Sequence, residues 1–236
     1  IRKDLVRTSI TQNFGQFESL YRSFEIEWDR EEALRLAAWL VNEAAGLKKY
    51  VAYQSPIESV SEKAIEEALK GLWGIKMGPL KSREAFSANW VLAALSDFNG
   101  QLQARDLVRL IHYAAENALK LENLPEDRLL PPSAIKNALD PCSFEKINEI
   151  QMEITDLKEI FAKLKKVPPE QRQVPFDINE YKLTSIEIET MTKLGMIKEY
   201  EGKYYFPEII RRGLGFTLTD PGRIKVLTLL KRSMNK

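Results

Sequence analysis

Arg105 and Arg109 stand four residues apart, just where an apolar stripe of three- and four-residue steps begins. On a helix that spacing projects both guanidinium groups from one side of the first turns. A guanidinium is a planar fork suited to carboxylates and phosphates, so the chemistry on offer is anion recognition. Two cations beside a partly positive helix N-terminus are mildly unfavourable unless an anion lies between them. For Arg105 that anion is either external or an internal carboxylate such as Asp97 or Asp106. For Arg109 an internal pair is the better reading.

Other chemistries are poorly provided for. His112 is the single histidine, set beside the apolar stripe, and it reads as a packed or surface-edge residue. Cys142 follows Pro141 with no basic neighbour in sequence to favour a thiolate. Zinc would require several Cys or His ligands. No Gly-x-Ser-x-Gly elbow, phosphate-binding Gly-x-x-x-x-Gly-Lys-Ser/Thr loop or Gly-x-Gly-x-x-Gly turn occurs. No catalytic residue and no metal ligand is therefore assigned, and this stretch is not expected to hydrolyse nucleotide unaided.

The elements that must position these groups follow from periodicity. A turn at Asn99-Gly100 releases the chain into a helix over 102–121, with Leu107, Leu110, Ile111, Ala114, Ala115 and Ala118 on its apolar stripe. Before it, residues 1–6 read as a strand end and loop, and Phe14, Phe17, Leu20 and Tyr21 as a short helical stripe. Residues 23–28 alternate like a strand. Asp29 and Glu32 form a capping-box pair opening a helix to about Ala45, stopped by Gly46. Helices over 61–73 and 82–98 follow, the first closed by Gly74. Pro131-Pro132 starts a short helix ending near Asp140-Pro141.

A long helix is expected over 143–166. Its apolar residues Ile147, Ile150, Ile154, Leu157, Phe161 and Leu164 form a narrow seam, the pattern of a brace against one partner helix. The Pro-bearing stretch to Pro175 reads as a linker. Beyond it come a Thr184–Glu187 capping box with a helix to Leu194, a hairpin turning at Glu201-Gly202, a helical turn over 207–212 and a last helix opened by Asp220-Pro221. Trp28, Trp39, Trp73 and Trp90 lie in element contexts that favour core packing over base stacking.

The charge balance is +1, so no bulk attraction to nucleic acid or membrane is implied, and no apolar run approaches the length of a bilayer span. One cysteine rules out an internal disulfide and fits a reducing, cytoplasmic setting. Over 203–236, however, eight Lys and Arg stand against two Asp and Glu. Arg211, Arg212, Arg223 and Lys225 in that surplus could touch phosphates or an acidic partner. The helix over 184–194 offers DNA mostly Glu187 and Glu189, which repel it.

The order of parts resembles the C-terminal half of a bacterial P-loop ATPase of the AAA+/STAND kind. Ile1-Arg2-Lys3-Asp4-Leu5 looks like the end of a sensor strand. Phe24 to Trp28 with the capped helix behind it resembles the entry to a helical lid. Ala104-Arg105-Asp106-Leu107-Val108-Arg109-Leu110 looks like the second sensor, with Ala104 where Pro is usual. The resemblance implies nucleotide sensing by Arg105, Arg109, Arg2 and Asp4. It also implies ATP with Mg in the intact protein, held by a nucleotide-binding domain upstream of Ile1. The expected fold is mainly α: a lid-like helical domain at 1–140, a long helix and linker at 141–175, and a winged-helix domain at 176–236. Partners would be the upstream domain and another protein or a second copy of the chain. The alternative is a non-enzymatic winged-helix adaptor or DNA-binding module.

Overall fold

The computed structural model describes residues 28–54 and 56–219. The expectations for Arg2, Asp4, the strand at 1–6, the stripe Phe14 to Tyr21, the extended stretch before Trp28, the helix after Asp220, Arg223 and Lys225 lie outside the described residues. Within them the protein is mainly helical, with two small two-stranded sheets.

Helix α1 (Arg30–Trp39) opens on the expected capping box. The Asp29 carboxylate accepts from the Glu32 amide at 2.8 Å, satisfying one of the donors a helix start leaves unpaired. The helix widens into a π turn (Leu40–Ala44) and stops near Gly46, whose φ of +67° suits a residue without Cβ. The expected 61–73 helix is α2 (Glu62–Ala68), capped by Ser61, and α3 (Lys70–Trp73). The expected 82–98 helix is shorter: α4 covers Ser87–Leu95, nearly all of it buried. Its predicted first turn is a loop that instead bridges Lys76 to Phe86. Trp73 and Trp90 are core residues and Trp28 is half-buried against the core, whereas Trp39 is largely exposed.

Two long helices dominate the centre, α5 (Ala104–Leu119) and α6 (Pro132–Glu153). Ion pairs join Arg105 to Glu149 and Arg109 to Glu145, while Asn117 reaches the Ala134 carbonyl, so the two run antiparallel. The expected break at Asp140-Pro141 is absent, and α6 passes through Pro141. An interior proline costs about 3 kcal/mol. Here Ile135, Ala138, Leu139, Cys142, Ser143 and Ile147 are all essentially solvent-free along one continuous helix. Each large apolar side chain among them is worth about 1.5–3 kcal/mol when buried, so packing outweighs the proline.

The break falls instead at Ile154, whose φ of −128° and ψ of 96° are extended, and α7 (Thr155–Lys165) follows. The narrow seam survives the break, with Ile147, Ile150, Ile154, Leu157, Phe161 and Leu164 all buried.

The stretch expected to be a linker contributes β1 (Gln173–Val174), paired in parallel with β4 (Thr217–Leu218). Between them lie α8 (Ser185–Lys193), β2 (Lys198–Tyr200), β3 (Lys203–Tyr205) and α9 (Glu208–Gly213). Thr184 and Glu187 make the expected capping box. Strands β2 and β3 form the expected hairpin, with Glu201 and Gly202 both at positive φ, as a two-residue turn of this hand requires. This C-terminal unit has its own aromatic centre, Phe176 stacked on Phe206 at 4.8 Å and Phe206 edge-on to Phe216.

The unit is seated on α6 through α9. A Cβ built on Gly213 would lie 2.3 Å from the Ser143 carbonyl oxygen, so glycine permits that approach. Arg212 adds a pair with Asp140 at 2.7 Å. A second attachment comes from the loop ahead of α5. The Phe98 amide donates to the Gly195 carbonyl at 2.8 Å, and the Asn99 side chain donates to the Lys193 carbonyl at 3.0 Å.

Candidate functional site

Arg105 and Arg109 do project from one side of α5, and that side faces the acidic stripe of α6. The Arg105 Nη1 group pairs with Glu149 Oε1. Arg109 reaches Glu149 Oε2 through Nη1 and Glu145 Oε2 through Nε, both at 2.8 Å, with Asp106 Oδ1 at 3.4 Å. Asp106 Oδ2 accepts from Lys146 Nζ at 2.7 Å. Tyr113 donates its hydroxyl to Glu145, and that bond holds its phenol above the ordinary pKa.

Three cations (Arg105, Arg109, Lys146) and three carboxylates (Asp106, Glu145, Glu149) thus form a charge-balanced ladder between α5 and α6. Its inner end is dry, since Asp106 is 0% exposed and Lys146 buried. Its outer end is open: the Arg105 side chain is 53% exposed while its partner Glu149 is only 10% exposed.

The internal carboxylate for Arg105 is therefore Glu149, not Asp97 or Asp106. Asp97 instead organises the loop ahead of α5, accepting from the Asn99 and Gln101 amides at 2.8 and 3.0 Å. Asp106 turns inward and is fully buried. It sits four residues before Leu110 and eight before Ala114, so helical spacing already placed it on the buried face. Lys146 carries the same signal, midway between the buried Cys142 and Ile150.

Cys142 lies against this inner end, its thiol donating to the Asp106 carbonyl at 3.4 Å. Burial first, and then the Asp106 charge, push its pKa to about 12 against the opposing pull of Arg109 and Lys146. His112 lies on the exposed side of α5, 3.6 Å from Glu116.

The described part of the C-terminal basic surplus is engaged internally. Arg211 is buried, bonded to Glu208 at 2.6 and 2.9 Å and to the Phe216 carbonyl. Arg212 bridges Glu208 and Asp140. Burial of Glu208 works against its charge, but the two arginines more than offset that and hold its carboxyl below the usual range. Nor is α8 basic on its exposed side, where Ile186 stands out to solvent and Glu189 pairs with Lys193 at 2.7 Å.

Among the described residues, no group of three or more His, Cys, Asp and Glu is arranged to hold a metal ion, and no helix is long and apolar enough to cross a membrane. No protein-family model, curated protein or solved structure matches the chain.

Proposed function

We propose that this chain is the regulatory C-terminal portion of a P-loop ATPase, its helical part a lid and residues 176–236 a winged-helix domain. In this reading Arg105 reaches the phosphates of a nucleotide bound by a domain upstream of Ile1, and Arg109 holds the helix face that presents it. ATP with Mg, when bound there, supplies the phosphoryl chemistry. This chain supplies a cation and a lever.

One observation carries the reading. The half-exposed side chain of Arg105 stands at the start of a helix whose leading loop also grips the turn after α8. A fixed cation of this kind stabilises charge on phosphoryl oxygens. A contact made in one nucleotide state alone shifts the balance between two lid positions by the free energy of that contact. Phe98 and Asn99 bond to Gly195 and Lys193, and Gly213 is pressed on Ser143, contacts that in this reading let a movement of the lid carry the C-terminal unit with it.

The alternative of a DNA-binding adaptor has less support. Two of the arginines it would use are occupied by Glu208 and Asp140. The test is Arg105→Ala in the protein carrying its nucleotide-binding domain. Weaker ATP binding and weaker ATP-dependent switching, with the melting temperature kept, are expected. Unchanged affinity and turnover would overturn the reading.

A further inference from the structure

We propose that Glu149 is a built-in competitor for the phosphate oxygens that Arg105 recognises, a latch that the nucleotide must displace. This rests on the reading of Arg105 as the phosphate-contacting residue and adds how that site is regulated.

The two ends of the Arg105–Glu149 pair are unlike. The Arg105 side chain is 53% exposed and that of Glu149 10%, so the arginine is the partner with room to turn outward. Glu149 keeps one partner when it does so, although its buried Oε1 is then left without one. Its second oxygen stays on Arg109 Nη1 at 2.8 Å, and Arg109 is in turn fixed by Glu145 and Asp106. A buried carboxylate left without any cation would oppose the exchange strongly, whereas one that keeps a guanidinium on its other oxygen opposes it less.

The exchange still carries a cost, because the ladder is charge-balanced with Arg105 in place and holds one surplus negative charge without it. An incoming phosphate must exceed that cost. This sets a threshold that a free arginine would not have. The outward swing also removes one tie between α5 and α6. The latch therefore connects anion binding to how tightly the two long helices are held.

The test titrates the full chain with inorganic tripolyphosphate by calorimetry, using wild type, Glu149→Gln, Arg105→Ala and the double variant. Glu149→Gln is expected to bind about two- to fivefold tighter than wild type, the loss of one half-exposed ion pair, and the double variant to lose that gain. Glu149→Asp keeps the charge at Arg109 and shortens the reach toward Arg105. It should move affinity the same way, and it replaces Glu149→Gln if melting shows the latter unfolded. Binding that Arg105→Ala abolishes but Glu149 variants leave unchanged overturns the latch and leaves the phosphate-contact reading standing. A gain in Glu149→Gln that persists in the double variant overturns the latch as well, because Arg105 is then not what Glu149 withholds. Absence of binding in both Glu149 variants also overturns it, and Arg105→Ala in the intact protein then judges the phosphate-contact reading separately.

Discussion

Replacing Asp106 with Ala should destabilise the protein more than any change at the open end of the ladder. At 2.7 Å the attraction between Asp106 and Lys146 is about 6 kcal/mol at an effective dielectric of about 20. Taking two ions out of water costs several kcal/mol each, so the pair itself adds little net stability. Removing one partner is different, because Asp106 is fully buried and Lys146 nearly so. Lys146 would keep its desolvation cost and lose its nearest counter-ion, an expected loss of about 3–5 kcal/mol. That is a large share of the roughly 5–15 kcal/mol that holds a typical domain together. Equilibrium urea unfolding at pH 7, followed by circular dichroism and tryptophan fluorescence, measures it. The double variant Asp106→Ala with Lys146→Met should recover most of the loss, since neither buried charge then remains. A single-variant loss under about 1 kcal/mol, or a double variant no better than the single, would refute a dry ion pair at this interface.

Two further expectations concern titration and reactivity. Glu208 has its carboxyl held below the ordinary value of 4.5 by Arg211 and Arg212, despite burial. It binds fewer protons folded than unfolded, so its stabilisation is complete above that value and lost as pH falls through the folded pKa. Acid unfolding of Glu208→Gln should lack this component; an acid limb identical to wild type contradicts the pairing. Cys142, buried with its pKa near 12, should resist alkylation by iodoacetamide at pH 8 in the native protein and react once urea unfolds it. Fast native labelling would show the α5–α6 interface to be open.

Local signals in the sequence were reliable where they stood alone. The capping boxes at Asp29 and Thr184, the stop at Gly46 and the turn at Glu201-Gly202 depend on neighbours a few residues away, and each forms as expected. Pro141 misled because its local cost is outweighed by side chains from α5 and α9 that are distant in sequence. Ile154 misled in the opposite sense, because its apolar spacing continues unbroken while the backbone does not. The Arg105–Arg109 pair was legible as an anion-binding face, but its partners Glu145 and Glu149 sit forty residues on in another helix. Only the antiparallel packing of α5 and α6 brings them together. Arg211 and Arg212 looked available because a charge tally counts Glu208 without its helical spacing of three and four to them, and cannot register Asp140 across the interface.

Whether Arg105 meets a nucleotide is observed most directly at its own side chain. In a protein that carries the proposed upstream nucleotide-binding domain, the Arg105 Nε–Hε resonance, assigned by its loss in Arg105→Lys, is followed as ATP and Mg are added. If Arg105 contacts phosphate, this resonance shifts as ATP saturates, while that of Arg109, held by three carboxylates, moves far less. An Arg105 resonance that stays in place at full ATP occupancy would contradict that contact.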